Sequence, residues 1–572
     1  MADPADLLHR RVQDAIARAF GPEFADTDPL VRPAQNPRFG DYQSNAAMSL
    51  AKRVGRNPRQ TAEAIVGALD TSGLCGPPEI AGPGFVNLTL TTEFLAAQAA
   101  ALAGDERLGV EAAAEPGTVV VDYSGPNVAK EMHVGHLRST VIGDALARTL
   151  AFLGQHVVRQ NHLGDWGTQF GLLIEHLLEH PTAGGSDLNV LYRAAAARFE
   201  TDAAFAERAR HRVVALQHGD PATLDVWRRL VRQSTDYFNT VYGRLGAALT
   251  DDDIRAESFY NDRLADVVST LEAQGLARES EGAICVFLPG FVTKDGEPLP
   301  LIVRKSDGGF LYATTDLAAL RYRVEVLGAR RLIYVTDARQ QQHFAMVFAA
   351  AERAGWLPPG VRAEHVTFGT VLGEDGKPFK TRSGDTIRLA ELLDEAERRA
   401  AALVAAKNPA LDDAARAAVA HAVGIGAIKY ADLASDRVKD YVFSWDRMLA
   451  MDGNTAPYLQ YAYARIRSIF RKAGVEAMPA TPVLAHPAER ALVLTVLRLG
   501  GVVRAVGTTL EPHRLCAHLY DVATAFSAFY EGCPVLQADE SVRAGRLLLC
   551  DLTARTLRLG LELLGIDVLD RM

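Results

Sequence analysis

The sequence predicts an α/β protein: a doubly wound parallel sheet with a small α+β module before it and an all-α bundle after it. Three observations lead there. Four apolar, largely β-branched runs at 118–121, 156–158, 331–335 and 365–368 alternate with segments of helical periodicity, as strands buried on both faces of a parallel sheet do. From about Leu389 onward such runs vanish, and apolar residues recur only at helical spacing. At 572 residues the chain exceeds what a single hydrophobic core holds, so several domains are expected. We place them at 1–112, 113–405 and 406–572.

Each part follows from its own pattern. Helical stretches at 7–20 and 58–69 surround a short extended run, 84–90, which gives the N-terminal α+β module. An Ala/Glu/Pro-rich joint at 111–116 leads into the first buried strand. Beyond the sheet, 400–407, 414–427, 457–472, 488–510 and 542–564 read as a helical bundle.

Composition narrows the function classes. With 48% hydrophobic and 23% charged residues the chain has no pull toward disorder. A net charge of -9 argues against indiscriminate nucleic-acid binding, but a basic patch of Arg465, Arg467, Arg471 and Lys472 keeps selective RNA binding open. Cys75, Cys285, Cys516, Cys533 and Cys550 show no CxxC spacing, so buried reduced thiols are expected and no zinc site. The first residues lack a basic-then-apolar pattern, and charge interrupts the long apolar stretches, so a cytoplasmic protein with no membrane partner is expected.

The most informative stretch runs from Val121 through Asp122, Asn127 and Lys130 to His133-Val134-Gly135-His136. A strand ends at Asp122, Gly125-Pro126 turns the chain, and Leu137, Val141, Ala145 and Leu146 then recur at helical spacing. Two histidines therefore stand where strand yields to helix, a favourable place for a polyphosphate, and Gly135 lets a nucleotide come close.

The run resembles the HIGH signature of class I aminoacyl-tRNA synthetases in the form found in arginyl-tRNA synthetases, including the Ser124-x-Pro126-Asn127-x-Ala129-Lys130 that precedes it. The resemblance implies a Rossmann-type catalytic domain and an anticodon-binding bundle of the DALR type. It implies ATP with Mg²⁺, L-arginine and tRNA(Arg) as substrates and partners of an enzyme expected to be a monomer. It puts His133, Gly135, His136 and Lys130 on the ATP, and Asp122, Asn127 and His136 near the arginine. A second stretch, 161–171, resembles a family motif lining the same cleft and places Gly164 and Asp165 at the nucleotide.

A selective guanidinium pocket needs a carboxylate and preferably a flat ring. Tyr312 and Asp316, at i,i+4, match the tyrosine and aspartate of the family's arginine-binding motif, although Thr314, Thr315 and Asp316 also suit a helix N-cap. Gln340, the first of three consecutive glutamines, matches a further family position. The second class I signature, KMSKS, is replaced by Gly376-Lys377-Pro378-Phe379-Lys380-Thr381-Arg382-Ser383. The resemblance implies that Lys130 compensates, with Lys380 or Arg382 as the loop cation. In the bundle, Tyr458, Tyr461 and Arg465 share a helix face that is either a core stripe or a platform for unstacked bases. The resemblance favours the second, and adds Met572 near the anticodon and Asn87 in a module that touches the tRNA elbow.

Overall fold

A computed structural model of the chain describes residues 3–180, 188–379, 387–474 and 480–572. Within these it forms two compact units, one of residues 113–449 and 563–566, the other of 3–112, 450–562 and 567–572.

The first unit is built on the expected parallel sheet. Its strands run in the order Arg362–Phe368, Arg331–Asp337, Thr118–Asp122, His156–Gln160, all parallel. Val119, Val120 and Val121 are buried because helices cover both faces. The helix Val134–Phe152 follows the first strand and lies close to the sheet at Gly143, where a β-carbon would collide with the Tyr123 ring. It is anchored by Arg138, which is 1% exposed, pairs with Asp432 of the helix Asp413–Leu433, and donates to the Gly369 carbonyl at 2.8 Å. On the opposite side, Val120, Leu332 and Tyr334 share a core with Leu317 and Leu320 of the helix Tyr312–Glu325 and Val347 of the helix Gln341–Arg353.

Three features of this unit differ from the expectation. An antiparallel sheet, Ala277–Ser280, Ala283–Val292 and Pro298–Arg304, is inserted before the second half of the parallel sheet. A two-residue strand, Tyr441–Val442, pairs with Val371–Leu372 beyond the point where strands were expected to end. The helices Leu389–Lys407 and Asp413–Leu433 belong here too, so the unit continues past residue 405.

In the second unit, four short antiparallel strands replace the single extended run: Val31–Pro33, Tyr42–Ser44, Phe85–Leu88 and Glu79–Ala81, in that spatial order. The helical bundle shares this unit. Arg490 binds the buried Asp41 carboxylate at 2.7 and 2.6 Å, a bidentate pair between the module and the bundle. All five cysteines are free and buried. Against the expectation that charge interrupts every long apolar stretch, Pro487–Thr509 is long and apolar enough to span a bilayer, but half of its most apolar window is buried inside the protein.

Candidate active site

The sheet order sets the position of the site. From Thr118–Asp122 the chain moves outward to His156–Gln160, whereas Arg331–Asp337 lies on the other flank and leads away to Arg362–Phe368. The crevice at the carboxyl ends of the two central strands is the topological switch point, where ligands of open α/β sheets bind. The loop leaving Asp122 is held in an unusual conformation, with φ of 74° at Ser124 and 64° at Ala129. Such residues cost of order 1–3 kcal/mol each and persist only when neighbours over-determine them. Here the Ser124 amide donates to Ser139 Oγ at 2.8 Å, its hydroxyl meets Tyr242 at 2.8 Å, and the Ala129 amide donates to Ser234 Oγ at 3.0 Å. Tyr242 and Ser234 both come from the helix Pro221–Leu245, so this inserted helix braces the loop.

The loop delivers His133 to the N-cap of the helix Val134–Phe152, with His136 one turn in. The Gly135 amide donates to His133 Nδ1 and the His133 amide donates to His136 Nδ1, both at 3.0 Å. Both Nδ1 atoms therefore accept, the proton of each neutral ring sits on Nε2, and among the described residues neither Nε2–H has a hydrogen-bond partner. Burial, followed by His133, pushes His136 down to about 3, and burial followed by Arg339 and Lys130 lowers His133. A side chain at Gly135 would press on the His133 ring, so this glycine keeps the histidine in place at the N-cap.

The second motif buttresses the first. Asn127 forms a parallel bridge with Gly164, and any side chain at Gly164 would strike Asn127 Oδ1. Asn161 accepts from the Gly125 amide at 3.0 Å and donates to Tyr242 at 3.0 Å. Asp165, expected at the nucleotide, is 2% exposed, and its carboxylate accepts from the Ser258 amide and hydroxyl at 2.8 and 2.5 Å. Lys130 Nζ lies 5.1 Å from the Tyr192 ring centre. Lys380 and Arg382 fall outside the described residues. The segment that follows them is placed, however: His133 bridges Arg388, and Arg388 pairs with Glu131 at 2.8 Å, which brings the base of the second signature loop against the first.

In the expected amino-acid pocket, Tyr312 opens the helix Tyr312–Glu325 and Asp316 follows one turn later. Leu311 is the N-cap and no side chain caps this helix, so Asp316 is not spent on capping. Its Oδ2 instead accepts from His343 Nε2 at 2.5 Å. Tyr312 is 62% exposed and Gln340 is exposed at the start of the neighbouring helix, both open to a ligand. Asp122 is less free than expected, because its Oδ2 accepts from the buried Arg323 at 2.8 Å, and its charge is matched before any ligand arrives.

Sequence reasoning missed His343, Arg323 and Glu257. The last accepts weakly from the Trp166 amide at 3.3 Å. Burial, then Asp165 and, more weakly, Asp316 push its carboxyl up to about 7. The folded state therefore binds this proton more tightly than the unfolded chain, and its contribution to stability is lost as pH rises from about 4.5 through 7. Glu257→Gln, which cannot ionise, is expected to melt higher than the parent at pH 8 by about 1–3 kcal/mol, with no gain at pH 4. Paired melting curves at the two pH values check this, and equal gains at both would remove Glu257 ionisation as the cause.

In the second unit, Tyr461 is 41% exposed, and Arg465 stacks between its ring and that of Tyr530, at 5.5 and 4.9 Å from the ring centres. Tyr458 is half-buried, with its hydroxyl 3.2 Å from Ser527 and its ring beside Tyr520. The basic patch divides: Arg467 and Arg471 turn to Asp570, whereas Arg465 stays on the aromatic face. Met572 is half-buried. Asn87 is 5% exposed and its Oδ1 accepts from Gln43 Nε2 at 2.8 Å, between the paired strands of the small sheet.

Comparison with known proteins gives a consistent picture. The sequence matches the family of the tRNA synthetases class I (R) catalytic domain over residues 98–445, the DALR anticodon binding domain over 459–572 and the arginyl tRNA synthetase N-terminal domain over 6–90. It is 55% identical to the arginine–tRNA ligase of Thermobifida fusca and 54% identical to that of Synechococcus elongatus, with 100% of each chain covered in both cases. Among solved structures, the arginyl-tRNA synthetase of Plasmodium falciparum superposes with a TM-score of 0.88 at 30% identity, covering 100% of both chains. That of Thermus thermophilus gives 0.84 at 28% identity, covering 99% of this chain and 100% of the other.

Proposed function

The chain belongs to the arginyl-tRNA synthetase family, and from that premise we propose that it activates L-arginine with ATP and transfers the arginyl group to tRNA(Arg) for protein synthesis. The observation that carries the reading is the pair of histidines, His133 and His136, at the start of the helix that follows the switch-point strand, each with Nδ1 engaged and Nε2–H as the remaining donor; Asp316, a carboxylate that caps no helix, beside the exposed ring of Tyr312 supports it. The first group suits a polyphosphate and the second a guanidinium.

In this reading, His133 and His136 donate from Nε2 to phosphate oxygens while Lys130 offsets charge developing on the α- and β-phosphates, a contribution of order 2–4 kcal/mol in a water-poor site. Lys380 or Arg382 adds a second cation from the stretch that replaces the second signature. Asp316 and Tyr312 hold the guanidinium, with Gln340 and Asn127 nearer the α-amino and carboxyl end. The arginine carboxylate attacks the α-phosphorus, pyrophosphate leaves, and the terminal 2′-hydroxyl of tRNA then attacks the adenylate carbonyl and releases AMP. Mg²⁺ enters with the triphosphate as part of the substrate. Arg465, Tyr461 and Tyr458 receive the anticodon region by stacking. The enzyme works in the cytoplasm as a monomer.

Aminoacylation of total tRNA with each of the twenty amino acids tests this directly, with charging by arginine alone expected. ATP–pyrophosphate exchange is expected only when tRNA is added, because the altered second signature points to a site that tRNA helps assemble. Robust arginine-dependent exchange in tRNA-free protein would overturn that second expectation without touching the first.

A further inference from the structure

A carboxylate on the first turns of a helix turns broadly about its last side-chain bond, whereas a guanidinium binds best when both carboxylate oxygens lie in its own plane. Something must therefore fix the plane of Asp316. His343 is placed to do so. It stands on the first turn of Gln341–Arg353, and its Nε2 lies 2.5 Å from Asp316 Oδ2. Its own ring is held on two sides, by Tyr312 at 4.7 Å and by Phe344 at 5.2 Å between ring centres. Phe344 in turn packs on Tyr334 at 5.0 Å and His365 at 4.8 Å, so the imidazole rests on a packed aromatic base rooted in the sheet. The His343 and Asp316 side chains are only 14% and 17% exposed, which strengthens the bond between them.

We propose that His343 is a positioning residue that sets the geometry of the guanidinium receptor. As an ionised carboxylate only accepts, the imidazole must donate. Each carboxylate oxygen offers about two lone-pair sites, so Oδ2 keeps one for the ligand while Oδ1 keeps both. The imidazole thus orients the acceptor without using it up, and its tilted contact with Tyr312 sets the ring against which the guanidinium plane lies. This rests on the reading of Asp316 as the guanidinium carboxylate.

The test combines His343→Ala, His343→Gln, Asp316→Asn and the double variant His343→Ala/Asp316→Asn, each assayed for arginine KM, ATP KM, kcat and melting temperature. Agmatine, which carries the guanidinium without the carboxylate, serves as a competitive probe. For His343→Ala we expect arginine KM and agmatine Ki to rise together by about tenfold, the loss of one charge-assisted hydrogen bond. ATP KM and kcat should stay within about twofold, since the contact is made equally in the ground and transition states. His343→Gln, with an amide donor, should recover part of the loss. The double variant should be no worse than Asp316→Asn alone, because the histidine acts through the aspartate. If Asp316→Asn raises arginine KM but His343→Ala does not, this inference fails and the Asp316 reading stands. If Asp316→Asn leaves arginine KM unchanged, the Asp316 reading itself fails. If His343→Ala lowers the melting temperature and raises ATP KM along with arginine KM, the histidine is a packing residue and the inference is overturned.

Discussion

Asp316→Asn is expected to weaken arginine binding by about 2–5 kcal/mol while leaving the protein folded. The magnitude comes from removing one member of a partly buried ion pair, which leaves the guanidinium charge without its counter-charge. In KM this is a rise of roughly thirtyfold to a few thousandfold. The fold should survive for reasons specific to this position. Asp316 does not cap its helix, and the amide oxygen of asparagine can still accept from His343 Nε2. Calorimetric titration of arginine alongside a melting curve checks both halves. Unchanged arginine affinity in a variant that melts like the parent moves the guanidinium site elsewhere.

The parts of this molecule legible in its sequence are those governed by local pattern. The parallel strands stand out because burial on both faces demands unbroken apolar runs, and all four were found where the runs lie. The histidine turn is legible because strand, glycine-proline turn and helical spacing follow one another within 35 residues of chain, from Thr118 to Phe152. The antiparallel insertion was missed because Ala283–Val292 contains Pro289-Gly290, which reads as a turn. The structure absorbs the pair in an irregularity of pairing between Phe287 and Val292.

What the sequence hides are pairings across long separations. Arg323 and Asp122 meet across 201 residues, and Arg138 and Asp432 across 294, with no periodicity to announce either. The burial of Asp165 was hidden for the same reason: a Gly-Asp turn locates the residue but does not say which way its carboxylate faces, and its partner Ser258 lies 93 residues on. The Asn87–Gln43 bond was likewise hidden, because the two residues meet across 44 residues of chain. His343 was within reach. It lies three residues after Gln340, one helical turn along the same segment, and a histidine at that offset from a candidate ligand residue was the available signal.

His136→Ala is expected to slow adenylate formation by about 10²- to 10³-fold, the usual cost of removing one preorganised donor from a developing oxyanion. The same substitution also deletes the acceptor for the His133 amide, and the loss of a cap costs about 0.5–2 kcal/mol of stability. The two effects separate through His136→Gln. Glutamine is the ordinary partner at the third helical position of a capping box, so its carbonyl can take over the His133 amide and restore the melting temperature. With that oxygen engaged, its amide group does not reproduce the imidazole Nε2–H, and the rate should stay low. Because burial pushes His136 down to about 3, the ring is neutral throughout the working range, and the parent rate should show no step from this histidine between pH 5 and 8. Single-turnover measurement of adenylate formation with tRNA present, paired with melting curves, reads rate and cap independently. A His136→Gln variant that recovers both would reduce His136 to a capping residue and leave the phosphate contact to His133 and Lys130.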